Sequence, residues 1–157
     1  MIDKIISTII LFLPAYFANG SPVILGGGPP VDGGEQWVDG KPILGKNKTI
    51  RGSIAGVIVG SLVGIIQGNP IGGFAQASGA ILGDLISSFL KRRYDFAPGS
   101  SMPIVDQLDF IIIAIILSYP SQSTDLLSIV IILIITVPLH YGTNYLSWLL
   151  KLKKNPW

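Results

Sequence analysis

Five apolar runs, each near the roughly 20 residues that cross a bilayer as a helix, constrain this chain more than any other feature of its sequence. The five runs cover about residues 3–19, 50–67, 71–91, 107–120 and 125–149. The chain is 49% hydrophobic and only 13% charged, against about one quarter charged in soluble domains. The pattern predicts an all-α, polytopic integral membrane protein with five transmembrane helices and a single domain over residues 1–157.

The basic residues predict the orientation of these helices. Ten of the eleven Lys and Arg residues lie in loop 20–52, in loop 91–109 or in the C-terminal tail, and only Lys4 lies elsewhere. Because Lys and Arg accumulate in cytoplasmic loops, the N-terminus is expected outside and the C-terminus in the cytoplasm. The same two loops, with Asp84 just before the second, hold seven of the nine carboxylates. We therefore expect an active site at the cytoplasmic face of the cell membrane.

Three carboxylates around the second loop are candidate Mg²⁺ ligands. Asp84 lies within an apolar run, where an ionisable side chain costs about 3 kcal/mol and therefore indicates function. Asp106 and Asp109 are three residues apart, which places both on one face of a helix. Mg²⁺ favours one or two carboxylates together with substrate phosphates. The alternatives are an ion pair of Asp84 with Lys91 or Arg92, and acidic residues that merely favour a helix N-terminus.

The cations of the two loops are candidate phosphate ligands. The first loop is rich in Gly and Pro, and a flexible backbone with basic side chains beside a helix N-terminus suits a triphosphate. The alternative is that these cations only anchor the loops on the cytoplasmic side. The candidates are Lys46, Lys48, Arg51, Lys91, Arg92 and Arg93.

Small residues predict where the helices pack. Glycines recur every four residues along the second run, and small residues form a similar ridge on the third. Such ridges let backbones approach closely, so we expect the two ridges to pack against each other or to receive a lipid chain. The ridges are Gly52, Gly56, Gly60, Gly64 and Gly68, then Ala75, Gly79, Gly83 and Ser87. His140 and Asn144, one turn apart on the fifth run, are interpreted as helix-packing partners outside the site.

Two sets of motifs resemble a known enzyme family. One set runs from the end of the third apolar run to the start of the fourth. It reads Gly83-Asp84-x-x-x-Ser88-x-x-Lys91-Arg92, then Pro98-Gly99, Pro103 and Asp106-x-x-Asp109, and it resembles the signature of CTP-dependent phosphatidate cytidylyltransferases. The first loop reads Asn19-Gly20-Ser21-Pro22, Asp39-Gly40-Lys41-Pro42-Ile43-Leu44-Gly45 and Lys48-Thr49-x-Arg51-Gly52. With these motifs the chain resembles the short archaeal branch, the CDP-archaeol synthases. It departs from the bacterial pattern at Tyr94-Asp95 and Ser100-Ser101-Met102.

This resemblance implies a Mg²⁺-dependent enzyme that transfers CMP from CTP to an isoprenoid glyceryl phosphate. The implied lipid substrate is digeranylgeranylglyceryl phosphate, and the implied products are a CDP-activated ether lipid and pyrophosphate. The implied catalytic residues are Asp84, Asp106, Asp109, Lys91 and Arg92, of which the three aspartates also bind metal. The implied substrate-binding residues are Asn19, Ser21, Lys46, Lys48, Thr49, Arg51, Gly52 and Arg93.

Other functions stay open from the sequence alone. A phosphatidate cytidylyltransferase would use the same site on a diacyl lipid. A CDP-alcohol phosphotransferase also uses Asp pairs, but its motif continues with Gly, and Asp109 is followed by Phe110. A small transporter would explain the apolar surroundings of Asp84 and His140, although the chain has no inverted repeat. We expect no nucleic acid among the partners, and the oligomeric state is left open.

Overall fold

Helices make up nearly all of the regular structure. The computed structural model describes residues 1–97 and 99–156, and Pro98 of the signature lies outside them. The elements are α1 (Ile2–Leu11), α2 (Leu13–Gly20), α3 (Pro22–Leu25), α4 (Ile50–Ile66), α5 (Pro70–Arg93), α6 (Val105–Ser118) and α7 (Leu126–Leu149). The described residues contain no β-strand, only isolated bridges within the first loop. The all-α prediction is confirmed.

The first apolar run is bent rather than continuous. α1 meets the segment formed by α2 and α3 at 53°. Pro14 has no N–H for the carbonyl of Ile10, and its ring clashes with that carbonyl, so the helix breaks. Gln67 donates a hydrogen bond to the Ile10 carbonyl (2.6 Å), and Gln76 donates one to the Leu11 carbonyl (2.9 Å). These side chains satisfy the backbone groups that the break leaves unpaired, as a bilayer interior requires.

The other four runs each form one helix, with small shifts at their ends. α4 and α5 are joined by a tight turn in which Gly68 has φ +75° and Asn69 caps α5, as its side chain accepts from the Gly72 N–H. α6 begins at Val105, two residues before the predicted start. α7 continues through Pro138 without ending there.

The glycine ridge of α4 is a helix–helix interface. A Cβ added at Gly60 would lie 2.6 Å from the carbonyl oxygen of Pro14 and 2.7 Å from Cβ of Ala77, so α2 and α5 lie directly on the ridge. The ridge on α5 faces α6 and not α4, because a Cβ at Gly79 would lie 2.6 Å from Cα of Ala114 on α6. The expectation that the two ridges pack against each other or receive a lipid chain is therefore wrong, since neighbouring helices cover both.

Alanine, phenylalanine and isoleucine side chains fill the interior, and further large apolar residues cover the outside of the bundle. The buried core is Phe12, Ala15, Ala18, Ala77, Ala80, Phe110, Ile111, Ala114 and Ile132. On α4, Ile54 and Ile58 are more than half exposed, and similar side chains are exposed on α5, α6 and α7. Exposed apolar surface of this extent is typical of a surface that contacts a membrane.

When the helices of the structure are judged by length and hydropathy alone, fewer of them qualify as membrane spans than the five predicted from the sequence. Within the described residues, α7 is long and apolar enough to cross a bilayer, and the bent pair Ile2–Leu11 and Leu13–Leu25 adds a second span if it is counted as one. α4 is apolar but has only 17 residues, and α6 has 14. α5 has 24 residues, but its glycines, Asp84 and basic end make it less apolar. The count of five spans stays a prediction.

Candidate active site

The first loop has a defined structure that is held by the partly buried carboxylate of Asp32. Asp32 accepts hydrogen bonds from the backbone N–H groups of Leu44 (2.7 Å), Gly45 (3.0 Å) and Gly34 (3.0 Å). Burial alone would raise the pKa of Asp32, but these backbone hydrogen bonds outweigh it and hold the pKa below its usual range. Asp32 therefore ties the two ends of the segment 32–45 together.

Arg93 fastens this loop to the end of α5. Its guanidinium donates a hydrogen bond to Asp39 (2.9 Å) and lies over the ring of Phe89, 4.9 Å from the ring centroid. Trp37 of the loop packs edge-on against the same ring, with 5.3 Å between the centroids. These contacts give Arg93 a role in positioning the loop, and its predicted contact with substrate stays a prediction.

Two lysine–carboxylate pairs form the centre of the site. Lys48 of the first loop donates to both oxygens of Asp84 (2.6 and 2.5 Å), and Lys91 donates to both oxygens of Asp106 (2.9 and 2.8 Å). The side chains of the second pair are only 12% and 20% exposed. Asp84 is thus paired, but with Lys48 rather than with Lys91 or Arg92 on its own helix. We call these four residues the charged cluster.

A close approach of two helices brings a third carboxylate to Asp84. At Gly83 the backbone of α6 lies so near that an added Cβ would collide with the carbonyl oxygen of Asp109. Ser87, one turn further along α5, lies beside the Asp109 carboxylate, and the charges of Asp84 and Lys48 act on it. The absence of a side chain at Gly83 therefore places Asp109 beside Asp84.

The structure brings together two of the three predicted metal ligands. Asp106 is held by Lys91 and by the N–H of Met102 (2.9 Å). Among the described residues, no group of three or more Asp, Glu or His side chains is arranged to hold a metal ion. Asp84 and Asp109 are the pair that fits a divalent cation, because Mg²⁺ is commonly bound by one or two carboxylates with substrate phosphates completing its shell.

Arg92 is a buried cation with unused hydrogen-bond donors. The residue is 5% exposed, and Nη2 donates to the carbonyl of Ala97 (3.2 Å). Its Nε and Nη1 atoms are buried and have no acceptor in residues 1–97 and 99–156. Unpaired donors on a buried charge are costly, and an oxyanion that reached them would accept both bonds in the bidentate geometry typical of Arg with phosphate. Arg92 stays a predicted phosphate ligand, with two unpaired buried donors on a guanidinium on which the charge of Asp106 acts.

The remaining predicted residues lie on the first loop and on adjoining helix ends: Asn19, Ser21, Lys46, Thr49, Arg51 and Gly52. Thr49 caps α4, because its hydroxyl accepts from the N–H groups of Gly52 (3.1 Å) and Gly27 (3.2 Å). Lys46 and Arg51 are exposed, and the two residues at the end of α2 are partly buried.

α7 and the C-terminal tail contribute residues that the sequence did not assign to the site. The Asn144 amide donates to Nδ1 of His140 (2.9 Å) and accepts from Nζ of Lys153 (2.8 Å). The charges of Asp84 and Asp106 act on Lys153, and the Asn144 amide joins Lys153 to α7. Burial and then repulsion from neighbouring lysines lower the pKa of Lys153. The sequence signal for these residues was the one-turn spacing of His140 and Asn144, two residues that we interpreted as helix-packing partners.

Comparison with known proteins gives consistent matches over most of the chain. The model of the CarS-like CDP-archaeol synthase family matches residues 1–72 and 68–157. The CDP-archaeol synthase of Pyrococcus furiosus is 42% identical over 156 residues, which cover 92% of this chain and 93% of that protein. The one of Archaeoglobus fulgidus is 40% identical over an alignment of 181 positions that covers 100% of both proteins.

A solved structure supports the same relationship at the level of the fold. It is that of an intramembrane enzyme for archaeal membrane lipid biosynthesis, and it is similar to this chain with a TM-score of 0.77 and 37% sequence identity. The match covers 89% of this chain and 94% of the solved chain.

Proposed function

The chain belongs to the CDP-archaeol synthase family, and from this premise we propose that it transfers the cytidylyl group of CTP to an isoprenoid glyceryl phosphate. Family membership makes the chain a CTP-dependent cytidylyltransferase of archaeal lipid synthesis, and it sets aside the CDP-alcohol phosphotransferase and the transporter. The proposed lipid substrate is digeranylgeranylglyceryl phosphate. The observation that carries the assignment of the site is buried Arg92, whose Nε and Nη1 atoms have no acceptor among the described residues and whose guanidinium is acted on by the charge of Asp106.

The proposed reaction is an in-line substitution at phosphorus. An oxygen of the lipid phosphate attacks the α-phosphorus of CTP, the bond from that phosphorus to the bridging oxygen breaks, and pyrophosphate leaves with the bonding electrons. The protein needs to position the two phosphates and offset their negative charge, and it forms no covalent bond itself. Arg92 binds the triphosphate through Nε and Nη1, and Lys48 and Lys91 contribute further positive charge.

The two ion pairs prepare the site for an anionic substrate. Lys48 and Lys91 are neutralised by Asp84 and Asp106, so neither buried charge stands alone before substrate binds. When a triphosphate enters, each lysine exchanges a carboxylate oxygen for a phosphate oxygen. The Asp84 carboxylate, once released from Lys48, would be available to hold a divalent cation.

We propose that Asp84 and Asp109 hold Mg²⁺. Their proximity fits a cation that takes one or two carboxylates and completes its shell with phosphate oxygens. When bound, the ion supplies positive charge beside the reacting phosphates. Ser87 of α5 lies beside Asp109 and offers a hydroxyl to that carboxylate.

The outer face of α4 offers a place for the lipid chain. An apolar groove of about 450 Å³ is lined by Pro29, Ile50, Ile54, Ala55 and Ile58, with Arg51 at the end nearer the first loop. A lipid that lies along this face can enter from the side, with its phosphate at Arg51 and its isoprenoid chain against Ile54 and Ile58. This arrangement supports entry from the membrane leaflet next to the charged cluster.

We propose a five-span topology with the site facing the cytoplasm. The charged cluster and the basic C-terminal tail lie at the same end of the bundle, as the positive-inside rule predicts for a cytoplasmic face. At the other end, Lys4 pairs with Asp125 (2.7 Å) and joins α1 to the start of α7. The N-terminus is then outside and the C-terminus inside.

Transfer of label from CTP tests the proposed function. Purified protein is incubated with Mg²⁺, an isoprenoid glyceryl phosphate and CTP that carries ³²P at either the α or the γ position. We expect the α label in the organic-extractable lipid and the γ label in pyrophosphate. Absence of α label from the lipid rejects cytidylyl transfer, and a preference for diacyl phosphatidate over the isoprenoid lipid reassigns the substrate.

A further inference from the structure

The turn that leads into α6 contains a strained residue. Ile104 has φ +70° and ψ −48°, which is close to the classic γ-turn, a rare conformation that strains a β-branched residue. Packing of the side chain does not hold this conformation, because the residue is 63% exposed. Hydrogen bonds in the surrounding turn must therefore hold the backbone of Ile104 in place.

The side-chain amide of Gln107 supplies one of these hydrogen bonds. Its oxygen accepts from the N–H of Ile104. Gln107 is 1% exposed and lies on the buried face of α6, together with Phe110 and Ala114. In a complete capping box the first residue would also bond through its own side chain, but isoleucine has no acceptor. Gln107 is thus a buried polar side chain that stabilises the strained residue.

Asp106 closes the same turn from its other side. Its N–H donates to the carbonyl of Met102 (3.0 Å), and its Oδ2 accepts from the N–H of Met102 (2.9 Å). The same carboxylate accepts from Lys91 of α5, at 2.9 and 2.8 Å. A change of Ile104 to negative φ would redirect the chain between Met102 and Asp106 and break these two contacts. The position of the Asp106 carboxylate therefore depends on the strained turn.

We propose that Gln107 is a positioning residue, which holds the Asp106 carboxylate against Lys91 by keeping Ile104 at positive φ. The inference rests on the proposed function, in which Lys91 turns from Asp106 to a phosphate oxygen while the carboxylate stays in place. Gln107 itself touches neither substrate nor metal. Without its amide oxygen, Ile104 relaxes, the Met102 N–H leaves Asp106, and Lys91 loses its fixed partner.

The first test compares Gln107→Met with two double variants in detergent-purified full-length protein. Met keeps the length of the side chain but has no amide oxygen. Adding Ile104→Gly removes the strain, because glycine adopts positive φ without a clash, whereas Ile104→Ala shortens the side chain and keeps Cβ. We expect Gln107→Met to lower the transfer rate at saturating substrates by about tenfold or more, well below its thermal midpoint. Adding Ile104→Gly should restore most of the rate, and adding Ile104→Ala should not.

A second measurement reports on the ion pair without relying on catalysis. Lysines are labelled with an amine-reactive reagent, and the extent at Lys91 and at Lys48 is read by mass spectrometry. The Lys91 side chain is 12% exposed and should be protected in wild type but several-fold more reactive in Gln107→Met. Lys48, which pairs with Asp84, should keep its reactivity. Because Gln107 acts through Asp106, Gln107→Met added to Asp106→Asn should change the transfer rate little further.

The proposal is overturned if Gln107→Met keeps the wild-type rate and a protected Lys91, or if Ile104→Ala restores the rate as well as Ile104→Gly. A loss of rate that only follows unfolding, with Lys91 still protected in the folded protein, also overturns it. If Gln107→Met alone does not fold, recovery of folded, active protein by Ile104→Gly and not by Ile104→Ala supports the proposal. A wild-type protein that labels no lipid rejects the proposed function and leaves the labelling of Lys91 to decide on Gln107.

Discussion

Asp84 and Asp109 come together because Gly83 lets the backbone of α6 lie against α5. Two partly buried carboxylates that act on each other repel, and their proximity is unfavourable unless cations are near. Lys48 offsets part of this charge, and a divalent ion with substrate would offset the rest. The same two residues therefore explain both the cost of the site and why we propose Mg²⁺ as its ligand.

Replacement of Asp84 or Asp109 by Asn should abolish turnover without unfolding the protein. Asn keeps the size of the side chain and removes its charge, so metal binding is lost. The expected loss is at least about 100-fold, since even residues that only support metal ligands cost about 10- to 100-fold. Activity is measured across a Mg²⁺ titration, with Asp125→Asn as the control, because Asp125 pairs with a lysine at the opposite end of the bundle. Near-normal activity of both variants would show that the metal site lies elsewhere.

The first loop should lose its ordered structure at acidic pH, because the ionised carboxylate of Asp32 holds it. Its pKa is held below the usual value of 3.8 by backbone hydrogen bonds, so its contribution to stability is complete above that value and is lost as the pH falls through the lowered pKa. Limited proteolysis of the segment 32–45 by an acid-active protease should accelerate below about pH 4. Asp32→Asn should give rapid cleavage already at higher pH, whereas Glu35→Gln, on the same loop, should behave like wild type. Equal cleavage of all three proteins at every pH contradicts this role.

At the scale of the elements, side-chain volume limits how closely α2, α4 and α5 pack. Gly60 faces Pro14 and Ala77 with no room for a Cβ, whereas Gly142 on α7 has open space around it. Both are helical glycines in apolar segments. The same substitution at each position therefore separates the effect of packing on stability from the effect of helix propensity.

Gly60→Leu should destabilise the bundle by about 1–3 kcal/mol or prevent its assembly, because the added side chain overpacks the interface. Gly142→Leu should leave the thermal midpoint in detergent close to wild type or raise it slightly, since Leu favours a helix more than Gly does. The two midpoints are compared by circular dichroism on purified protein. A Gly60→Leu protein as stable as Gly142→Leu would mean that the ridge is not a packing surface.

The helices themselves could be predicted from the apolar runs, because their boundaries coincide with Gly, Pro and charged residues. The break in the first run was missed, although Pro14 was its signal, because the run is apolar on both sides of the proline. The direction of the α5 ridge was also missed. Glycine spacing marks a face that permits close approach, but it does not say which helix approaches.

The composition of the site could be predicted, but the pairing of its charges could not. The motifs located Asp84, Lys91, Arg92 and Asp106 in one region. The partner of Asp84 is Lys48, 36 residues earlier, and this depends on how the first loop folds over α5. The turn of the tail at Lys151 was not predicted either, because nothing in the local sequence marks a left-handed position there.

At the scale of the whole molecule, the charged cluster and the Lys4–Asp125 pair lie at opposite ends of the bundle. Single cysteines at Ser100 and at Ser123 should therefore react with an impermeant thiol reagent from opposite sides of a sealed membrane, the first from the cytoplasm. The chain has no cysteine of its own to interfere. Reaction of both from the same side would refute the five-span topology.

Buried Arg92 is proposed to bind substrate phosphate for cytidylyl transfer. The most direct test of this proposal measures α-³²P transfer from CTP to the lipid together with the thermal midpoint, in wild type and in Arg92→Gln. We predict that Arg92→Gln lowers the transfer rate by at least about 100-fold, as loss of a transition-state donor does. The midpoint should not fall, because the change removes a buried charge with two unpaired donors. Transfer at a near wild-type rate, or a loss of activity that only accompanies unfolding, would contradict the account.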